Sequence, residues 1–221
     1  LNTLEPSIEV VEERCAGIGE ECDYFYAFFM CHDEIHALNV RYVVPLNSWY
    51  FIGRQNYYKN EVWLNRFAYS AGRLTRVDQR RIAEGADPRV ASDGGNAYGI
   101  ITSYKNPGWG STLYDFRRQR LVPIRLSDPI GEIGKNWQPF LRDGELFAVH
   151  EMAPFRILHI DVGSGLARVV EERDVGFNLF SFYEPYPMFR GGSNAIAQDS
   201  EIVGLGRSIS QRYRHHPFLW H

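Results

Sequence analysis

Four stretches of this chain share one grammar. "NVRYVVPLNSWYFIGRQN" from Asn39, "DPRVASDGGNAYGIITSYKN" from Asp87, "NWQPFLRDGELFAVHE" from Asn136 and "GGSNAIAQDSEIVGLGRS" from Gly191 each join a short β-prone segment to a longer apolar one. In each, the joint is a turn rich in Asn, Asp, Ser or Gly. The stretches start 48, 49 and 55 residues apart. A period of about 40–50 residues with several strands per unit is that of a propeller blade, which buries its sheet faces only by stacking on its neighbours. The pattern therefore predicts an all-β propeller spanning residues 1–221 as a single domain. Four repeats are visible, and the last breaks off at "YRHHPFLWH" before a complete blade. Either the first 35 or so residues supply the strands that close the ring, or the chain is a piece of something longer. The competing fold is a β-sandwich, whose hairpins look alike because all hairpins do.

Between the repeats lie further strand candidates. "EVWLNRFAYS" (Glu61–Ser70) alternates and is aromatic-rich, and "STLYDFRRQRLVPIRL" (Ser111–Leu126) reads as two strands around a polar break. "FRILHIDVGSGLARVVEE" (Phe155–Glu172) predicts a hairpin turning at Gly163–Gly165. No long amphipathic helix is evident, and "TRVDQRRIAEGADP" reads as a loop or a short helical turn before Pro88.

A chain that is 44% hydrophobic and 14% aromatic can build a sizeable core. Its formal net charge of −3 argues against a nucleic-acid binder, which carries a basic stripe. It leaves room for a sugar or a phosphorylated small molecule, since a local Arg/Lys cluster can sit inside an acidic protein. Cys15, Cys22 and Cys31 fit no zinc spacing and read as ordinary thiols, with a Cys15–Cys22 disulfide as the other option. No apolar run approaches the ~18 residues of a membrane span. The first residues lack the basic-then-apolar pattern of a signal peptide, so a reducing, cytoplasmic setting is expected.

In a propeller the innermost strand of each blade lines a central channel, so polar residues opening the repeats converge. Those residues are Asn39 and Arg41, Asp87 and Arg89, Lys135 and Asn136, and Arg190 before Gly191 and Gly192. One carboxylate within a cationic set suits a particular division of labour. The cations hold a phosphate or carboxylate while the acid handles a proton. Glycosidic bond chemistry needs an acid and either a second carboxylate or an external nucleophile. Phosphate held by Arg and Lys supplies the latter. Each residue also has a plain structural reading. Asp87 before Pro88 fits a turn; Lys135 fits a solvated loop, Arg54 an inter-blade ion pair and His150 a core histidine. Tyr213, His215 and His216 lack an acidic partner for a metal, so substrate hydrogen bonding is expected of them, with no metal and no cofactor. Trp137, beside Lys135 and Asn136, is the best candidate for stacking on a sugar face.

"ADPRV" (Ala86–Val90), "GKNWQPF" (Gly134–Phe140), "FRGGSNAI" (Phe189–Ile196) and "YRHH" (Tyr213–His216) resemble, in order and spacing, the five-bladed β-propeller glycosidases and phosphorylases. Mannoside phosphorylases and related predicted glycosyltransferases are the nearest members. The resemblance runs from about Asn39 to the C-terminus. It implies five blades, the last incomplete in this chain, and a glycosyl-transferring enzyme. The proton donor would be Asp87, followed by Pro88 and Arg89, and the phosphate-contacting pair Lys135–Asn136. His150, Tyr213 and His215 fit other matched positions, with Arg54 and Arg190 as channel cations. The family's Glu before the catalytic Asp is Ala86 here, a departure from the phosphorylase pattern. Phosphate, a sugar phosphate or a nucleotide sugar would be co-substrate and a carbohydrate the partner. The alternatives are an inverting glycoside hydrolase, for which Glu132, Glu151 and Asp33 are candidate second carboxylates, a non-catalytic glycan-binding propeller, and a scaffold propeller that binds protein.

Overall fold

The computed structural model describes residues 24–43, 59–105, 108–128, 130, 137–174, 188–198, 201–209 and 215–221. Every helix or strand element among them is a strand, and the strands form four sheets in chain order. The first is β1 (Tyr24–Cys31), β2 (Glu34–Val43), β3 (Lys59–Ser70) and β4 (Arg73–Glu84); the second is β5 (Ala86–Ser92), β6 (Ala97–Lys105), β7 (Gly108–Asp115) and β8 (Arg120–Pro123). After the short β9 (Arg125–Leu126) come β10 (Gln138–Arg142), β11 (Glu145–Met152), β12 (Phe155–Ile160) and β13 (Leu166–Arg173). The fourth sheet is β14 (Met188–Gln198), β15 (Glu201–Ile209) and β16 (His215–Trp220). Within each sheet, consecutive strands pair antiparallel; β9 alone runs parallel, on the outer edge of β13.

Turn chemistry fixes these meanders. Asp143–Gly144 closes β10 on β11 with φ of 52° and 77°, and Ala71–Gly72 closes β3 on β4 with 50° and 76°. Both are the left-handed pairs that match strand twist in two-residue hairpins. In the β5–β6 connection the Asp93 carboxylate accepts hydrogen bonds from the Gly95 and Asn96 amides, which holds its pKa below the usual carboxylate range despite some burial.

The sheets stack face to face. Alternation sends neighbouring residues of one strand to opposite interfaces: Ile101 packs between the first and second sheets, and Ile100 between the second and third. Likewise Leu146 and Ala148 face the second sheet while Val149 faces the fourth. Each fully buried Ile or Leu contributes roughly 1.5–3 kcal/mol, so these middle sheets are held from both sides. The end sheets each leave one face open, exposing Phe28, Met30, Tyr69 and Leu74 on the first and Ile196, Leu205 and Leu219 on the last. The opening strands converge: β1 lies against β5, β5 against β10 and β14, and β10 against β14. Radial sheets with the first strand innermost form a propeller-like array, not a two-sheet sandwich.

Two expectations are corrected. Residues 73–84 form strand β4, not a loop or helical turn. Asn39 and Arg41 lie in β2, not in the innermost strand, which is β1. The Asn39 Oδ1 accepts from Asn65 Nδ2 at 2.7 Å inside the sheet, and the Arg41 guanidinium lies 4.4 Å over the Trp63 ring. Cys31 is a buried free thiol, and Cys15 and Cys22 lie outside the described residues.

Candidate functional site

Asp87 stands near the start of β5, an innermost strand. There the register to β6 slips by one residue between Ala86 and Arg89, a bulge. Its φ is +47°; among the described residues it is the only non-glycine with positive φ outside a hairpin turn. Gly85 sets up the kink: its φ is +151°, and a Cβ there would lie 2.5 Å from Ile101 Cγ2 and 2.6 Å from the Thr102 carbonyl oxygen. The Asp87 side chain is half-buried, and its carboxylate makes no hydrogen bond or ion pair with another described residue. A strained backbone that presents one short acid is a feature the fold holds against its own preference, and such outliers concentrate at functional sites. Arg89, two residues on, is buried at 8% exposure.

A second bulge lies on β14. Gly191 pairs with Gly206 and Ala195 with Gly204, so Gly192, Ser193 and Asn194 together face Leu205. Ser193 Oγ substitutes for the missing backbone acceptor, taking the Leu205 N–H at 3.1 Å. The bulge reaches toward two other innermost strands. Gln138 of β10, fully buried, donates its Nε2 to the Ser193 carbonyl at 2.9 Å and the Leu205 carbonyl at 2.8 Å. Asn194 Oδ1 accepts the Val90 N–H of β5 at 3.0 Å. The segments that carry Asp87, Gln138 and Asn194 are thus tied directly to one another.

His150 lies on β11, at a register slip between Val149 and Glu151. It is buried, and neither ring nitrogen has a hydrogen-bond partner among the described residues. Burial, helped by the Arg156 guanidinium, lowers its pKa to about 4. A neutral imidazole offers one donor and one acceptor but no charge for an anion. Trp137, expected to stack on a sugar, is 1% exposed and sits in the core between the second and third sheets, its ring nearly perpendicular to that of His150. An indole covered on both faces has none left for a sugar ring, and that role is withdrawn.

Of the other expected residues, Arg190 is placed in β14 opposite Arg207 and His215 in β16 opposite Ile209; their side chains are not among those described. Arg54, Lys135, Asn136 and Tyr213 lie outside the described residues, as does Glu132. Two candidate second carboxylates are otherwise placed. Glu151 is engaged by Arg156. Asp33 is in the β1–β2 turn, next to His32, whose amide bonds the Gly94 carbonyl beyond the far end of β5 from Asp87. Gln138 and Asn194 do not stand out from sequence; the only signal is two glycines followed by small polar residues inside a strand.

No family model and no curated protein matches the chain. Among solved structures it is similar to MPT-4, a mannose phosphorylase from Leishmania mexicana in complex with phosphate ion, with a TM-score of 0.53 and 11% identity. That match covers 92% of this chain and 64% of the other, so the chain spans under two thirds of that protein's length. A glutaminyl cyclase from Myxococcus xanthus aligns over 90% of this chain and 94% of its own at 12% identity, with a TM-score of 0.29. At 11% identity the likeness to the mannose phosphorylase is one of fold: an all-β, propeller-like array of antiparallel sheets.

Proposed function

We propose that this protein is a carbohydrate-active enzyme that transfers a glycosyl group, in the manner of a glycosyltransferase or glycoside phosphorylase. The sugar binds where the opening strands converge, and Asp87 gives or takes the proton at the glycosidic oxygen. The observation that carries this reading is Asp87, strained and without a partner among the described residues, at the bulge of an innermost strand. The similar fold of a mannose phosphorylase bound to phosphate supports the reaction class. In this reading Arg54, Arg89, Lys135, Asn136 and Arg190 hold phosphate or a sugar phosphate, and His150, Tyr213 and His215 hydrogen-bond the substrate. Transfer and phosphorolysis are favoured over hydrolysis because Glu151 is paired with Arg156 and Asp33 stands in the β1–β2 turn, beyond the far end of β5 from Asp87. In this reading the four sheets belong to a five-sheet ring. A fifth between the open faces of the first and last would bury the apolar residues those faces expose, as the three existing interfaces do.

The test is turnover of mannose 1-phosphate and other sugar phosphates with a panel of acceptor sugars, and of manno-oligosaccharides with inorganic phosphate. Asp87→Asn should abolish turnover and leave the urea unfolding midpoint in place. Full activity in that variant would end the mechanism. Ala86, where the resembled family has Glu, favours a second reading, a glycan-binding propeller without turnover. Sugar binding that Asp87→Asn leaves unchanged would select it.

A further inference from the structure

We infer that Asn194 is a positioning residue for Asp87. Each lies in a bulge of an innermost strand, on two different sheets. The hydrogen bond that links the two segments is made on β5 by Val90, three residues past Asp87 and one past Arg89, where regular pairing with β6 resumes. A bulged strand surrenders ladder bonds and needs another constraint to hold its geometry. Here the constraint comes from outside the sheet. Because the partner is a backbone N–H, the amide oxygen of Asn194 must face it. The tether is itself braced: Gln138 holds the Ser193 carbonyl, Ser193 Oγ holds the Leu205 amide, and a Cβ on Gly192 would come within 3.1 Å of the Leu205 carbonyl oxygen. The β14 bulge is thus tied to the residue just beyond the β5 bulge, and this contact from two sheets away holds the strand on which Asp87 keeps its φ of +47°. For the reaction, the assignment rests on the glycosyl-transfer reading; for the geometry, it does not.

The experiment compares the wild type with Asn194→Leu, which has the same shape without the acceptor, and Asn194→Asp, which keeps an acceptor oxygen. Hydrogen exchange at the Val90 amide and the ¹⁵N shift of the Asp87 amide report the tether. Glycosyl transfer from mannose 1-phosphate and urea unfolding are measured on the same samples. Asn194→Leu should speed Val90 exchange about ten-fold, move the Asp87 amide resonance and lower kcat at least ten-fold with KM within three-fold. Asn194→Asp should restore the first two readouts and most of kcat. An Asp87 resonance unmoved in Asn194→Leu, or an active wild type whose kcat survives that change, overturns the assignment. If the wild type transfers no sugar, the glycosyl-transfer reading falls instead, and the exchange and shift data still decide whether Asn194 positions Asp87. A variant that unfolds is replaced by Gln138→Leu, which removes the brace behind the tether and should move the same two amides.

Discussion

The Trp137 and His150 rings meet nearly edge to face, their centroids 5.0 Å apart at 70°. The contact puts an imidazole with two unpartnered nitrogens, as counted among the described residues, into an apolar interface. Protonating it there is costly, since burial and Arg156 both oppose the charge. With a folded pKa of about 4 against 6.5, the unfolded chain binds the extra proton first as pH falls. The penalty is absent above pH 6.5, grows between 6.5 and 4, and is complete below. It amounts to about 3 kcal/mol. Urea midpoints should therefore fall across that window in the wild type. In His150→Phe the fall should be shallower by roughly this amount; equal slopes would remove His150 from the account.

Arg156 is the smaller cause of that shift, and its guanidinium also holds Glu151 and Glu172. Arg156→Gln should raise the His150 pKa toward its ordinary value, read from the ring protons by NMR titration. No movement would assign the whole effect to burial.

At Asp87 the backbone leaves a stability signature independent of any activity. Inside a strand, Ala is ordinarily more stable than Gly by roughly 0.5–1 kcal/mol. At a φ of +47° the order reverses, because Cβ clashes in the left-handed region and glycine has none. Asp87→Gly should be more stable than Asp87→Ala by about 1 kcal/mol in urea unfolding. The ordinary order would show that the strand is regular there and that the bulge argument fails.

Gly165 closes the β12–β13 turn at a φ of +75°, and a Cβ there would lie 2.3 Å from the Pro123 carbonyl oxygen and 2.8 Å from Val122 Cγ1. Its carbonyl accepts the Arg125 N–H at 2.9 Å, the bond that seats β9 on the edge of the third sheet. Gly72 has nearly the same φ, +76°, but open space around it. Gly72→Ala should cost about 1 kcal/mol for the backbone alone, and Gly165→Ala at least about twice that, since backbone must shift. Equal losses would mean that the β9 joint yields freely.

What is legible in the sequence of this fold follows turn chemistry. Asp143–Gly144, the Asp93–Asn96 loop and Gly163–Gly165 are local signals, and the hairpins around them lie where the residues predict. Strand β4 escapes such reading because it is an edge strand with most of its length exposed: Arg73, Arg76, Arg80 and Arg81 break any period-two apolar signal. The first repeat is out of phase with its strands because Asn39 resembles the polar residues that open the other units, whereas its side chain is spent inside the sheet on Asn65. Asp87 is legible from its motif, and the strain at it is not, since φ answers to contacts that β5 makes with β6 and β14 rather than to its own neighbours in sequence. Asn194 and Gln138 are hidden for a related reason: their partners are 104 and 55 residues away in the chain, a relation no local pattern encodes.

The last sheet gives the sharpest test of packing. Gly204 lies directly opposite Trp220, and a Cβ on it would stand 2.4 Å from Trp220 Cζ2. Gly206 stands in the same relation to Phe218, at 2.4 Å from Cζ. The indole lies flat over the glycine and fills the interface between the third and fourth sheets, edge to face with Phe155 at 5.5 Å. Gly204→Ala must push the ring off this seat, an overpacking change that costs about 1–3 kcal/mol. Trp220→Ala leaves a cavity instead and costs about 3–5 kcal/mol. With the ring gone, the added methyl has nothing to strike, so the double variant should lose little beyond Trp220→Ala alone. A urea double-mutant cycle would then show a coupling of about 1 kcal/mol or more. Simple additivity would mean that the indole does not rest on Gly204 in solution.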